Sequence, residues 1–260
     1  MWWVLAAVLI LITLENLGKF RFQFSVWYNY KNYFWLFTNL ILLSFCIPFL
    51  ISAFSFLLAR LPVQPLVNLS SYSGALQFAV FFLVIDFSKY VSHYFMHKFD
   101  FLWKIHLIHH SSETLNTLAS FKHSWLEAFI NVFLSCLLER FFRVDLAVLT
   151  VVNGLFIYVC IWQHSDIRHL RYSNRLLSAI FITPKAHRIH HERVAVSHHK
   201  NIGFVFTFWD RIFKSYSAEG RRVESFGIIE PDYPYHSNLR QFFYPFSVQI
   251  KTAKKSNSTD

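Results

Sequence analysis

The sequence predicts an all-α fold: a polytopic membrane helix bundle of about four to five membrane helices with a cytoplasmic, histidine-rich helical cap. Of the 260 residues, 54% are hydrophobic and only 15% are charged, whereas soluble domains carry about 25% charged residues. Several apolar runs approach the roughly 20 residues that a bilayer requires. The histidines, in contrast, gather in the polar stretches that follow the later runs.

The first two apolar runs precede every histidine. Residues 2–14 are apolar but short, so they form a marginal span or one end of a longer helix. No positively charged segment precedes them, and we expect a retained helix rather than a cleaved signal. Residues 33–59 carry no charge and contain Pro48, which allows a tilted helix, a kink or a helical hairpin.

The later runs lead into the histidines. Residues 75–92 form the third run, with Asp86 and Lys89 in its last third. Residues 128–163 are apolar apart from a charged knot at 139–145, which predicts a turn between two antiparallel helices. Since two further crossings return the chain to the same face, the histidines that follow each run can converge.

The distribution of charge predicts the side of the membrane. Segment 15–32 carries three Lys or Arg residues and segment 61–73 carries none, so the positive-inside rule assigns the histidines to the cytoplasmic face. The net charge of +10 fits Lys and Arg facing anionic lipid headgroups. Nucleic acid is not expected as a partner, because no compact basic motif occurs.

Cysteine and glycine usage excludes several other sites. Cys46, Cys136 and Cys160 lie inside apolar runs without CxxC spacing, so a disulfide framework, a cysteine zinc site and an iron–sulfur site are not expected. The six glycines form neither GxGxxG nor a P-loop. No nucleotide site is therefore expected.

The word HxxHH occurs twice, at 106–110 and at 187–191. An HxxxH pair precedes the first copy, and a lone histidine precedes the second. Imidazole is the commonest metal-ligating side chain, and nine such side chains suit two ions rather than one. The predicted metal ligands are His93, His97, His106, His109, His110, His164, His187, His190 and His191.

Helical spacing explains the chemistry of these words. Positions i, i+3 and i+4 lie within about 100° of arc, so each HxxHH can aim three imidazoles at one point. Four such segments can hold two metals about 3.5–4 Å apart. Iron, zinc, copper and nickel all accept imidazole, and the spacing does not choose among them.

The other five histidines are interpreted as surface or capping residues: His123, His169, His198, His199 and His236. Of these, His169 and His123 stay open as additional ligands.

Polar residues around the ligands are also predicted. Asp86 lies seven residues before His93, on the same helix face, and either accepts a hydrogen bond from a ligand histidine or pairs with Lys89. Asp166 and Asn201 are further candidates for such outer contacts. Three more carboxylates, which the spacing does not rank, are Glu113, Glu192 and Asp210.

The order HxxxH, HxxHH, lone His, HxxHH resembles the fatty acid hydroxylase/sterol desaturase superfamily of integral-membrane, histidine-rich di-iron oxygenases. The resemblance covers about residues 80–215, and the words at 201–203 and 209–213 look like the closing NYG…WDRxFGT segment of that family. Ile202 replaces Tyr, and Lys214-Ser215 replaces Gly-Thr. None of these departures removes a predicted ligand.

The resemblance implies an oxidoreductase that uses O₂ and two iron ions to hydroxylate an unactivated C–H bond of a fatty acyl chain, a sterol or a related lipid from the bilayer. Desaturation at the same site is the alternative. A separate electron donor is implied, of the reductase, ferredoxin or cytochrome b5-like kind. Its docking surface, unless these residues contact lipid headgroups instead, would comprise Arg168, Arg171, Arg175, Arg188 and Arg193.

The predicted organisation has three parts. Residues 1–74 form N-terminal membrane helices, 75–215 a catalytic region with a membrane hairpin at 128–163, and 216–260 a cytoplasmic C-terminal tail ending in a disordered terminus, KTAKKSNSTD. The protein would lie in a bacterial inner membrane or the endoplasmic reticulum.

Three rival functions are less well supported. A membrane zinc hydrolase would need HExxH, but Ala195 stands where the second histidine of a word beginning at His191 belongs. A metal transporter would place its ligands near the bilayer midplane, whereas these lie at helix ends. The complete ligand set argues against a non-catalytic lipid-binding relative.

Overall fold

A computed structural model describes residues 2–17, 26–62, 64–167, 175–218, 223 and 225–247. Within these residues the only β-type contacts are two isolated bridges, which confirms the all-α prediction. The α-helices are α1 (Trp2–Leu17), α2 (Val26–Ile41), α3 (Ile47–Ala59), α4 (Gly74–Lys98), α5 (Asp100–His110), α6 (Trp125–Phe142), α7 (Leu146–His164), α8 (Arg175–Ile180), α9 (Pro184–His190), α10 (Thr207–Ile212) and α11 (Asn238–Phe243).

Three helical segments of the described chain are long and apolar enough to cross a membrane: Asn32–Ala59, Gly74–Lys98 and Leu146–His164. Helix α1 is apolar over Leu5–Glu15 but shorter than a span. The prediction of a membrane protein is confirmed, while the number of crossings beyond these three stays a prediction.

The helical stretch around Pro48 is continuous. A π-helical segment, Leu42–Cys46, joins α2 to α3, and the Ile47 N–H donates to the Leu42 carbonyl five residues back. Proline has no N–H and its ring crowds the preceding turn, and a wider π turn absorbs this defect without ending the helix. The hairpin alternative at Pro48 is therefore wrong.

The beginnings of α4 and α7 lie together at one end of the bundle. The Gln77 side chain accepts from the Asp145 N–H at 2.9 Å and donates to the Asp145 carboxylate at 2.8 Å. The predicted turn is present, because α6 ends at Phe142, Arg143 after it adopts the left-handed conformation, and α7 begins at Leu146. Helices α4 and α7 therefore run in the same direction and bring their histidine ends together.

Helix α1 is fastened to this histidine end by a buried carboxylate. Glu15 accepts hydrogen bonds from the Thr117 N–H, the Thr117 hydroxyl and the Asp166 N–H at 2.7–2.9 Å. A buried charge requires such partners. The contact joins α1 to the loop before α6 and to the end of α7.

The described part of the predicted C-terminal tail packs onto α5. Ile228, Tyr233 and Tyr244 form a buried cluster with Leu107, and the Tyr233 hydroxyl lies 2.7 Å from the Ser111 hydroxyl. This segment therefore covers the histidine-bearing helix instead of extending away from it. The KTAKKSNSTD terminus lies outside the described residues.

Candidate metal centre

The nine predicted ligands form two adjacent groups of ring nitrogens, and within each group the donor atoms lie within 4.8 Å of one another. Helices α4, α5 and α9 supply the five-histidine group: His93, His97, His106, His110 and His190. Helices α5, α7 and α9, with the residue that follows α9, supply the four-histidine group: His109, His164, His187 and His191.

Each HxxHH word divides its rings between the two groups, which corrects the expectation that each aims three imidazoles at one point. The first word gives its i and i+4 rings to the five-histidine group and His109 to the other. The second gives its i and i+4 rings to the four-histidine group and His190 to the five-histidine group. Consecutive helical residues are turned by about 100°, so His109 and His110 diverge, with their ring planes at 89°.

The local sequence sets these helices in place. Thr183 caps the N-terminus of α9 by accepting from the Ala186 N–H, and Pro184 occupies the first turn, where its missing N–H has no cost. Helix α9 is therefore fixed in register from its first residue. Stacking of His110 on His191, with centroids 4.4 Å apart, brings α5 and the end of α9 together.

Oxygen atoms hold the Nδ1 side of five rings, which turns the Nε2 side toward the interior of each group. These contacts are His93 to the Ile202 carbonyl at 2.8 Å, His190 to the Lys200 carbonyl at 2.9 Å, His109 to the Lys122 carbonyl at 3.3 Å, His164 to the Cys160 carbonyl at 2.7 Å, and His106 to the Glu127 carboxylate at 3.1 Å.

These contacts assign the lone pairs. Because a carbonyl oxygen only accepts, Nδ1 carries the hydrogen and Nε2 of the neutral ring carries a lone pair. In the five-histidine group the Nε2 atoms of His93 and His190 lie 3.1 Å apart, and in the four-histidine group those of His109 and His164 also lie 3.1 Å apart. Each group thus contains two lone pairs facing each other, an arrangement that a cation between them stabilises.

Protonation of one imidazole, which would also relieve the facing lone pairs, is disfavoured. Burial, reinforced by the neighbouring imidazoles, lowers the pKa of His190 and of His109 well below the ordinary value. Both ring nitrogens of His110 are buried without a hydrogen-bond partner. The closest Nε2 contacts span 3.0–3.2 Å, and ligands bound about 2.1 Å from one ion lie about 3.0–3.4 Å apart. The two groups fit two imidazole-bound metal ions.

Glu127, in the first turn of α6, is an outer contact that the sequence analysis missed. One carboxylate oxygen meets His106 Nδ1 and the other meets His123 Nδ1, each at 3.1 Å. These imidazoles hold the pKa of Glu127 below its ordinary range despite burial, and Glu127 in turn raises the pKa of His123 to about 10 against the opposing effect of burial. An i, i+4 His–Glu pair at the start of an apolar helix was the available signal.

Asp86 and Asp210 fasten residues 200–209, here called the closing segment, whose backbone carbonyls hold two rings of the five-histidine group. Asp86 accepts from the Val205 N–H at 2.9 Å and the Trp209 indole N–H at 2.8 Å, and its hydrogen bonds go to this segment rather than to a histidine or to Lys89. Asp210 accepts from the N–H groups of residues 202 and 203, both at 2.8 Å. Both carboxylates thus position the Ile202 carbonyl that holds His93.

Asn201 joins the same segment to α9. Its side-chain amide donates to the Ala186 carbonyl at 3.1 Å, and its side-chain oxygen accepts from the Ser217 N–H at 2.8 Å. Its φ of 52° is a left-handed conformation that Asn tolerates. Asn201 therefore orients the neighbouring Lys200 carbonyl, which holds His190.

The remaining candidates lie at varied distances from the two groups. Asp166 forms an ion pair with Arg188 at 3.2 Å, so Arg188 is engaged inside the protein and is withdrawn from the predicted docking surface, whereas Arg193 is exposed. Glu192 accepts from the Ser197 hydroxyl at 2.6 Å. His198 was assigned to the surface, but it is 6% exposed and its ring centroid lies 4.9 Å from that of His110.

Some predictions fall outside the described residues or side chains: those concerning His169, Arg168 and Arg171, and the side chain of Arg175.

The fold and the site define a class: a helical membrane protein with two adjacent all-imidazole sites at one end of its bundle. Comparison with known proteins narrows the class. The model of the fatty acid hydroxylase family matches residues 78–215, more than half of the chain. The chain therefore belongs to the fatty acid hydroxylase family.

Curated relatives include lipid-modifying enzymes. Alkylglycerol monooxygenase of Homo sapiens is 31% identical over 170 residues, which cover 64% of this chain and 36% of that protein. Its counterpart in Danio rerio is 31% identical over 151 residues, covering 58% of this chain and 32% of that protein. Ornithine lipid hydroxylase OlsE of Rhizobium tropici is 22% identical over 142 residues, covering 55% and 42% respectively.

The chain spans about a third of the length of the alkylglycerol monooxygenases that it matches. No solved structure matches it.

Proposed function

We propose that this protein is a membrane-bound lipid monooxygenase that holds two iron ions and uses O₂ with external electrons to hydroxylate an unactivated C–H bond. One observation carries the proposal: each histidine group presents facing Nε2 lone pairs that a metal ion would satisfy. Family membership and the lipid-modifying relatives support iron and a lipid substrate over other metals and other chemistry.

The histidines and their hydrogen-bond partners would have different roles. All nine histidines would bind the ions, and the carbonyl and carboxylate partners of five of them would keep those Nε2 atoms aimed inward. When bound, the two iron ions would supply activation of O₂ for attack on the C–H bond. The protein would exclude bulk water, because of the nine rings only that of His93 is more than 8% exposed. Such shielding protects reactive chemistry from side reactions.

The lipid and the electrons would arrive from different sides. Two of the apolar spans, Gly74–Lys98 and Leu146–His164, end at the histidine groups, so a hydrocarbon chain can approach from the bilayer. The charge bias of the sequence supports a cytoplasmic position for the histidine end. A separate electron donor would dock there, and Arg193 is an exposed cation on that side.

Hydroxylation is favoured over desaturation by the relatives, whose names are those of a monooxygenase and a hydroxylase. A membrane zinc hydrolase lacks support, because Ala195 stands where the second histidine of an HExxH word beginning at His191 would be.

Two measurements test the proposal. The first is the metal content of the purified protein, with O₂ consumption after reductant is supplied. Two iron ions per chain with lipid-dependent O₂ uptake would support it, whereas a single tightly held zinc without O₂ uptake would overturn it. The second is lipidomics of cells with the protein and with a His109→Ala variant. A lipid class gaining one oxygen atom indicates hydroxylation, and one losing two hydrogens indicates desaturation.

A further inference from the structure

The segment from Lys122 to Glu127 touches both histidine groups. The Lys122 carbonyl accepts from His109 of the four-histidine group, and the His123 ring stacks on that same ring with centroids 4.0 Å apart and planes at 15°. Glu127 bonds His106 of the five-histidine group. One short segment therefore supports a ring in each group.

Glu127 is the link within this segment. Its carboxylate is planar and buried, with Oε2 on His106 and Oε1 on His123, each at 3.1 Å. Rotation of the carboxylate to improve one contact moves the other oxygen as well, so both bonds are optimal in one orientation only. Ser124 caps α6 by accepting a hydrogen bond from the Leu126 N–H. This cap fixes the first turn of the helix, from which the Glu127 side chain extends.

From this geometry we infer that Glu127 is a positioning residue that couples the two metal sites, so that filling one group favours filling the other. An ion on His106 Nε2 would fix that ring and strengthen its Nδ1–H bond to Glu127. The fixed carboxylate would hold His123 against His109 and so prepare the four-histidine group. Because coupling between sites is reciprocal, an ion on His109 would prepare His106 in the same way.

This inference rests on the proposed function, since it requires that both groups bind metal. The test is anaerobic titration of the metal-free, full-length protein with Fe²⁺ in detergent, with native mass spectrometry counting the chains that hold zero, one or two ions. At half saturation the wild-type protein should contain mostly chains with no ion or with two.

The Glu127→Gln variant should raise the one-ion population. Glutamine preserves the size but has one accepting oxygen, so only one imidazole keeps its partner, and affinity at the other group should fall by about 10–100-fold. The matched control is Glu139→Gln, on the last turn of the same helix and outside the site, which should retain the wild-type distribution. A general loss of stability would lower both occupancies together without raising the one-ion species.

His123→Phe provides a second variant if Glu127→Gln folds poorly. Phenylalanine keeps an aromatic ring against His109 but cannot bond Glu127, so the one-ion species should again increase. Two ions in the wild type with unchanged distributions in both variants would overturn the coupling and leave the proposed function intact. A wild-type protein that never binds two ions would overturn both.

Discussion

The two histidine groups use similar ligands but are enclosed by different parts of the molecule. The five-histidine group is held by the closing segment, whose carbonyls at Lys200 and Ile202 receive His190 and His93, and it borders a cleft of about 280 Å³ through His97. The four-histidine group is held by the Lys122 carbonyl and the last turn of α7. One site therefore depends on a long-range loop, and the other on the bundle itself.

This difference predicts that a substitution in one of these supports weakens one group more than the other. The five-histidine group would offer an ion up to five imidazoles and the four-histidine group up to four. The segment after residue 200 should matter for the five-histidine group, and the last turn of α7 should matter for the four-histidine group.

The largest effect is expected from removing one ligand of each group. His190→Ala and His109→Ala should each reduce the iron content at saturation to about one ion per chain and lower O₂-dependent turnover by at least about 100-fold, because two-metal chemistry needs both ions. Elemental analysis and turnover assays measure this, with membrane insertion checked by fractionation. If a variant keeps both ions and full turnover, the histidine that it replaces is not a metal ligand.

A smaller effect, greatest at the five-histidine group, is expected from Gly203→Ala. A Cβ at this position would lie 2.6 Å from an Asp210 carboxylate oxygen and 2.8 Å from the Phe206 carbonyl, so the closing segment must shift. Overpacking of this kind costs about 1–3 kcal/mol. We expect a lower melting temperature and a loss of iron that is greater at the five-histidine group than at the four-histidine group.

The matched control for this prediction is Gly74→Ala, which has nothing within 4 Å of the added Cβ and lies at the start of α4. Its melting temperature and iron content should equal those of the wild type. Equal losses in the two variants would show that the closing segment does not hold His93.

The histidine words predicted every member of both groups, because spacing along a helix is a local property. The same spacing misassigned His109 and His190, since which ion a ring meets depends on how α5 and α9 face each other. Asp86 was placed on the correct helix face, yet its partners, the N–H groups at 205 and 206, lie about 120 residues away. Glu127 was missed because its contact with His106 arises only when α5 and α6 pack.

The membrane-spanning segments show in the same way that local sequence patterns predict helices but not every detail of their geometry. Apolar runs predicted the helices and the turn before α7, but Pro48 alone could not distinguish a hairpin from a π turn within one helix. That outcome depends on whether the residues on both sides of the proline continue the helix, as Ile47 and Phe49 do.

An intermediate effect on stability, with little effect on metal, is expected from Glu15→Ala. The substitution leaves the Thr117 and Asp166 N–H groups without their buried acceptor, which costs about 1–3 kcal/mol. Thermal unfolding should occur at a lower temperature while iron content is retained. Loss of iron from the four-histidine group would instead show that α1 is required for that site.

The smallest effect is expected from His236→Ala. This histidine is exposed and follows the tyrosine cluster that covers α5, so it shares the residue type of the ligands without their burial or their Nε2 neighbours. Iron content, turnover and melting temperature should all match the wild type. Because His198 is buried beside His110 while His236 is not, His198→Ala should lower iron occupancy of the five-histidine group more than His236→Ala does. Equal responses of the two variants would show that burial beside the five-histidine group does not distinguish supporting histidines from surface ones.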